Sequence, residues 1–442
     1  MYREISELLL YGDLGDDSIL LRLGGIFRRW ESGGAEPMDL RREVNLQIKR
    51  LLDLATAYGF DGNLWLNYLT YVILTSENSF SLTCEGRGAT PGGTVNELAR
   101  RDFDVFLRLM RYDFGPIERA LGIDCFTLIR SYAAIPKRES MYNRNAGRLV
   151  REMSAKLAGA RNADEAFTLV TNFYRDHGVG DFAFSRAFRI GGSGDGLRLV
   201  PINNIEHVSL GDMVGYAEQK RELIANTDAF LAGRPANNVL LYGDSGTGKS
   251  TSVKALINDY FDSGLRMIEI YKHQFRDLGA VIARIKNRSY RFIIFIDDLS
   301  FEEHEIEYKF LKAVIEGGVE TRPENMLIYA TSNRRHLIRE SWKDRSDMEH
   351  SGDIHRSDTV EEKLSLAGRF GVAICYNTPG RAHYHEIVRA LAKNQLGVEV
   401  DDGQLIAGAN TWEIRHGGVS GRAAQQYINH LAGAALSCKK KQ

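Results

Sequence analysis

Gly243-Asp244-Ser245-Gly246-Thr247-Gly248-Lys249-Ser250 is the stretch that decides the fold. It has the spacing G-x-x-x-x-G-K-[ST], follows the apolar run Asn238–Tyr242 and precedes the helical pattern Thr251–Tyr260. Glycines let the backbone curl until its N–H groups point inward at phosphate oxygens. The helix that follows adds partial positive charge, worth ~0.3–1 kcal/mol per exposed interaction and up to ~2 when partly buried. The motif predicts that residues 243–250, with Thr251 behind them, cradle ATP. Lys249 is expected to reach the β- and γ-phosphates and Ser250 to hold Mg²⁺. The competing explanation is a Gly-rich turn that matches by chance, and the strand–loop–helix context argues against it. No N-K-x-D guanine-reading motif is present, which excludes the usual GTPase pattern.

Working outward, five short apolar runs alternate with helical stretches: Asn238–Tyr242, Leu265–Tyr271, Arg291–Asp297, Met326–Thr331 and Val372–Tyr376. None shows polar alternation, as expected for strands buried on both faces of a parallel sheet. The pattern predicts an α/β domain with a parallel five-stranded sheet over residues 204–380. Residues 381–442 return to helical spacing and are expected to form a C-terminal helical lid. Residues 1–190 are predicted to be a mostly helical domain of unassigned role. Val44–Leu52 and Phe103–Met110 carry the clearest helical periodicity there, while Ser81–Gly93 reads as a loop. Gly191–Gly196 reads as the linker between the halves, or as the tip between Phe182–Ile190 and Leu197–Ile202.

The third run ends in Asp297 and Asp298. A strand end delivers side chains to the sheet edge where ligands bind. Asp297 is expected to bind Mg²⁺ and Asp298 to orient an attacking water. Glu302 and Glu303 follow closely and stand as alternatives for that base.

Composition bounds the rest. The chain has 442 residues, is 43% hydrophobic and 26% charged, and carries a formal net charge of −1. That balance does not favour a nucleic-acid partner, nor does it exclude a local basic patch. Cys84, Cys125, Cys375 and Cys438 form no C-x-x-C pair, which argues against zinc and for a reducing cytoplasm. Cys375 sits in an apolar run and reads as a buried thiol. His273, His304, His336, His383 and His385 lack metal-ligand spacing. No run approaches the ~20 apolar residues of a membrane helix, and the start of the chain does not read as a secretory signal.

The motifs stand in the order found in AAA+ P-loop ATPases, over residues 204 to 435. More narrowly, residues 236–243, 297–303, 329–337 and 362–366 resemble a family of bacterial ATPases catalogued as domain-of-unknown-function family eight-fifteen. The resemblance reaches back to about Phe173. It implies AAA+-like architecture, ATP and Mg²⁺ as cofactors, and a homo-oligomer, including an ATP-dependent ring, acting on an unknown macromolecular substrate. It implies further roles. Asp297 resembles the Walker B aspartate. Many AAA+ proteins carry Glu where Asp298 stands, so the identity of the base stays open between Asp298, Glu302 and Glu303. Asn333, ending Ala330-Thr331-Ser332-Asn333, resembles the sensor 1 amide. Arg369, in Leu366–Gly371, resembles the arginine finger supplied to a neighbour, with Arg334 and Arg335 as competitors. Arg422, at the start of the last helix, resembles the sensor 2 arginine. Gly215, in Met213–Tyr216, resembles the apolar-Gly element packed on adenine.

Three functions compete. The first is an AAA+ ATPase that couples turnover to macromolecular remodelling. The second is a nucleotide-switched binding module resembling a helicase loader, which the Asp-Asp pair favours. The third, a small-molecule kinase, is disfavoured by the expected lid and inter-subunit arginine. An unfoldase needs an aromatic pore loop after the second strand. Phe275, in Tyr271–Gly279, is the candidate, at an imperfect spacing.

Overall fold

The computed structural model describes residues 1–135, 143–192, 196–302, 305–317, 322–334, 337, 366–395, 401–416 and 418–439. The chain divides into two compact units, one of residues 1–185 with 201–204, the other of residues 186–200 with 205–442.

The first unit is helical. Its main helices are α1 (Ile19–Glu31), α2 (Pro37–Tyr58), α3 (Leu64–Thr75), α4 (Thr94–Met110), α5 (Arg144–Gly159) and α6 (Ala163–Asp176). Side-chain oxygens of Ser18, Asn63, Asn143 and Asn162 accept backbone N–H groups at the starts of α1, α3, α5 and α6. Such caps satisfy donors that a helix end otherwise leaves unpaired. Pro37 opens α2, and Gly59 closes it in the left-handed conformation. Aromatic rings fill much of the core: Phe114 and Phe126 stack at 4.1 Å, and buried Trp65 donates its indole N–H to Leu109. Ser81–Gly93 is not wholly a loop, because Asn78 caps a short helix, Ser79–Cys84, through a capping box.

Asp102 in α4 is fully buried and accepts the backbone N–H groups of Leu9, Leu10 and Tyr11 at 2.8–3.1 Å. One carboxylate thus anchors an irregular N-terminal segment. Asp102→Ala removes the acceptor of three backbone donors, of which only that of Tyr11 is on a buried residue, and a buried donor left unpaired costs about 1–3 kcal/mol. Denaturant unfolding is expected to show a loss of about 1–3 kcal/mol. A loss under about 1 kcal/mol, the range of ordinary surface changes, refutes the anchor.

The second unit is an α/β layer with a helical appendix. Its strands are β1 (Ala187–Gly191), β2 (Arg198–Pro201), β3 (Val239–Gly243), β4 (Leu265–Glu269), β5 (Arg291–Ile296), β6 (Met326–Ser332) and β7 (Val372–Tyr376). They form one seven-stranded sheet in the order β2-β1-β4-β5-β6-β3-β7. Pairings from β1 through β7 are parallel. The sheet therefore has seven strands and not five. The two extra strands lie at one edge and carry exposed Arg189 and Arg198, so they lack the unbroken apolar run of a doubly covered strand. Residues 191–196 connect these two neighbouring strands.

Helices α7 (Ala217–Leu231), α8 (Lys249–Tyr260), α9 (Leu278–Ile285) and α10 (Glu307–Glu316) intervene between the strands. Every residue of β6 and the inner residues of β5 are buried. Helices α11 (Arg381–Gln395), α12 (Asp402–Arg415) and α13 (Gly421–Lys439) follow β7. They share a small core of Tyr384, Val388, Leu405, Ala424, Tyr427 and Ile428, against which Val214 packs. No described helix is long and apolar enough to cross a membrane.

Candidate nucleotide site

The strand order builds the site. β3 lies between β6 and β7, and β5 lies beyond β6. Because these strands are parallel, their C-terminal ends share one edge, where ligands of open α/β sheets bind. The residues just past β3, β5 and β6 meet there.

Gly243 ends β3 with φ 127°, and a Cβ on it would lie 2.2 Å from the Tyr376 carbonyl oxygen of β7. Only glycine lets the loop leave the sheet at that point. Gly248 then turns the chain into α8, whose first residue is Lys249. Lys249 is buried, and its ammonium donates to the carbonyls of Gly243 at 2.9 Å and Asp244 at 2.6 Å. It also donates to Asn333 Oδ1 at 3.1 Å. Burial pulls its pKa below the usual lysine value, and Asp244, Asp298 and Asp297 act in the opposite sense.

Ser250 Oγ donates to Asp297 Oδ1 at 2.5 Å. Thr331 Oγ1 donates to the same oxygen at 2.6 Å and accepts the backbone N–H of Asp298 at 2.9 Å. A single threonine on β6 therefore fixes both carboxylate residues past β5. Asp298 has φ 52°, a left-handed conformation uncommon outside glycine. Strain of this kind persists where surrounding bonds hold it, and it concentrates at functional sites. Asn333 Nδ2 donates to Asp298 Oδ1 at 2.9 Å, so the Asn333 amide bridges Lys249 and Asp298.

Serine hydroxyl and aspartate oxygens are the hard donors that Mg²⁺ takes. Among the described residues, no group of three His, Cys, Asp or Glu side chains could hold a metal alone. Ser250 and Asp297 together present hard oxygen donors, and these fit Mg²⁺.

The remaining candidates fall as follows. Arg422 lies on the first turn of α13, and its backbone N–H donates to the Gly246 carbonyl at 3.3 Å. A Cβ on Gly246 would come within 3.2 Å of Ser420 and Arg422 Cβ, so the lid helix meets the loop directly. Ser420 caps that helix by accepting the Ala423 N–H. Gly215 has φ 75°, and a Cβ there would lie 1.7 Å from His383 Nε2. His383 Nε2 is 3.1 Å from the Val214 carbonyl, so this element touches the lid as well as the core. Arg369 is half-exposed and pairs with Glu316 at 3.0 Å. Its described partner is thus on α10 of the same chain.

Glu302 is exposed, and its backbone N–H donates to Glu305. Glu303, Arg335, His304 and His336 lie outside the described residues. Phe275 is 1% exposed, which removes it as a pore-loop ring. It packs at 6.2 Å from Phe301, and the exposed aromatic of that segment is Tyr271. Cys375 is half-buried, not buried, and its Sγ donates to Asn377 Oδ1.

The pattern at the end of β6 singles out Asn333 and passes over Thr331, whose hydroxyl bonds both Asp297 and Asp298. Thr331 and Asn333 are two residues apart at a strand end, and strand alternation puts such residues on one face. That spacing was the available signal.

No curated protein matches the chain. Among solved structures, the Holliday junction branch migration motor RuvB of Thermotoga maritima aligns at 17% identity with a TM-score of 0.37, covering 52% of this chain and 66% of that one. A point mutant of the same motor aligns at 17% identity with a TM-score of 0.38, covering 52% and 67%. The chain thus spans about two thirds of the length of that motor. The family model described as "Protein of unknown function (DUF815)" matches residues 184–435, more than half of the chain, and the chain belongs to that family.

Proposed function

We propose that this chain is an AAA+-type ATPase that binds and hydrolyses Mg-ATP and couples turnover to remodelling of a macromolecule. One observation carries the proposal: Lys249, Ser250, Asp297, Asp298, Thr331 and Asn333 form one hydrogen-bonded set at the C-terminal edge of the parallel sheet.

In this reading the N–H groups of residues 243–251 cradle the phosphates, and Lys249 exchanges its carbonyl partners for phosphate oxygens. Ser250 and Asp297 hold Mg²⁺, with Thr331 orienting the Asp297 carboxylate. When bound, Mg²⁺ supplies positive charge against the charge that develops on the transferred phosphoryl group. Asp298 accepts the proton of the attacking water. Asn333 orients Asp298 and that water, and Glu302 remains the alternative base. Gly215 approaches the base of the nucleotide, and Arg422 brings the lid to its phosphates. Arg369 completes the site of a neighbouring copy, which makes the active species a homo-oligomer.

Mg-dependent hydrolysis per subunit, measured over a wide range of protein concentration, tests this. Specific activity is expected to rise with concentration, because each site needs a neighbour's arginine. Activity absent at every concentration would instead favour a nucleotide-switched binding module resembling a helicase loader. The aspartate at position 298, one methylene shorter than glutamate, is the observation behind that second reading. Single-stranded DNA binding that weakens steeply with salt would support it.

A further inference from the structure

The segment between β7 and the lid, residues 377–380, is gripped by both elements assigned to the nucleotide. From the phosphate loop, Asp244 Oδ2 accepts the Thr378 backbone N–H at 2.8 Å and the Thr378 hydroxyl at 2.6 Å. The Asp244 backbone N–H donates to the Tyr376 carbonyl at 3.0 Å. From the other side, the Tyr216 hydroxyl donates to the Asn377 carbonyl at 3.1 Å, and its ring lies 5.0 Å from Tyr376 and 5.2 Å from His383. Tyr216, like Asp298, is a non-glycine residue held at positive φ. The first turn of α11 begins at once, with Tyr384 N–H donating to the Gly380 carbonyl.

Asp244 also faces Lys249. Its carbonyl oxygen accepts the Lys249 ammonium at 2.6 Å, while its carboxylate holds Thr378. Phosphate oxygens compete for that ammonium, so a nucleotide must alter the bond on one side of Asp244. The hydroxyl and N–H of Thr378 hold the Asp244 carboxyl below the usual aspartate range, which keeps it ionised and the bonds charge-assisted at neutral pH.

We propose that Asp244 is a positioning residue that couples occupancy of the phosphate loop to the orientation of the helical lid, through its two bonds to Thr378. The inference rests on the ATP-site reading and adds a route by which that site moves the lid. Sequence position alone gives no hint of it, since residues 244 and 378 lie far apart in the chain and no motif joins them.

Hydrogen exchange of amides 381–395 in the full chain, with and without a non-hydrolysable Mg-ATP analogue, tests the coupling. In the unaltered chain the analogue is expected to change lid exchange by about 5- to 150-fold, the span of typical coupling free energies. Thr378→Val removes the hydroxyl donor and should reduce that response. Thr378→Ser should restore it. Asp244→Ala removes both bonds and should abolish the response, and because Asp244 also belongs to the phosphate loop its analogue affinity is measured beside it. Should Asp244→Ala fail to fold or to bind the analogue, the contrast between Thr378→Val and Thr378→Ser decides. A wild-type response in Asp244→Ala, or in Thr378→Val with that contrast absent, overturns the coupling and leaves the ATP site standing. Analogue binding by the unaltered chain with no change in lid exchange also overturns the coupling alone. No analogue binding by the unaltered chain overturns the ATP-site reading and the coupling together.

Discussion

Lys249→Ala is expected to weaken Mg-ATP binding by roughly 2–5 kcal/mol, on the order of 30- to 5,000-fold, as when one partner of a buried charged pair is truncated. The side chain is 6% exposed, so its attraction to phosphate is only weakly screened by water. Folding should suffer less than binding. In the free chain the ammonium satisfies the carbonyls of Gly243 and Asp244 and the Asn333 amide, but Asn333 and Asp244 lie at the surface, where water can replace it. Titration with a fluorescent ATP analogue, beside a thermal melt, separates the two effects. Analogue affinity within about threefold of the unaltered chain, under 1 kcal/mol, would remove Lys249 from the phosphate site.

Arg369→Ala is expected to leave ATP binding intact and to lower hydrolysis by on the order of 10³-fold or more, the scale of an arginine that stabilises phosphoryl-transfer charge. Its pairing with Glu316 does not oppose this. Both side chains are partly exposed, at 48% and 29%, and such surface pairs contribute only about 0–1 kcal/mol. A neighbour's phosphate can therefore draw the guanidinium away at little cost, and the substitution should barely change the melting temperature. Steady-state hydrolysis and analogue binding, measured on the same preparation, check both halves. Loss of binding equal to that of Lys249→Ala would place Arg369 in its own chain's pocket and end its role as a donor to a neighbour.

The sequence determined the parts with local causes. β5 and β6 were legible as apolar runs because strands covered on both faces have no reason to alternate, whereas β7, at the sheet edge and only partly buried, was legible from its apolar composition alone. The phosphate loop was legible because its glycines and lysine must keep fixed spacing to curl around an anion. The helix after the phosphate loop, read as Thr251–Tyr260 against an actual start at Lys249, and the carboxylates closing β5 followed from the same local patterns. β1 and β2 were legible only as the arms of the tip read at residues 191–196, because strands of four or five residues that carry exposed arginines give too little apolar signal to place them in the sheet.

Only the tertiary structure decided what depends on strand order. Inserting β3 between β6 and β7 brings Asn333 to Lys249, Tyr376 against Gly243 and Thr378 to Asp244. Pairing β5 with β6 sets Thr331 against Asp297 and Asp298. The left-handed backbone of Asp298, the burial of Phe275 and the placing of His383 over Gly215 likewise depend on neighbours remote in sequence. A pattern of residue types reports the local backbone and the side of an element that faces the core. It carries no record of which remote segment a given hydroxyl or carboxylate will meet, because that choice is made by the packing of the whole sheet.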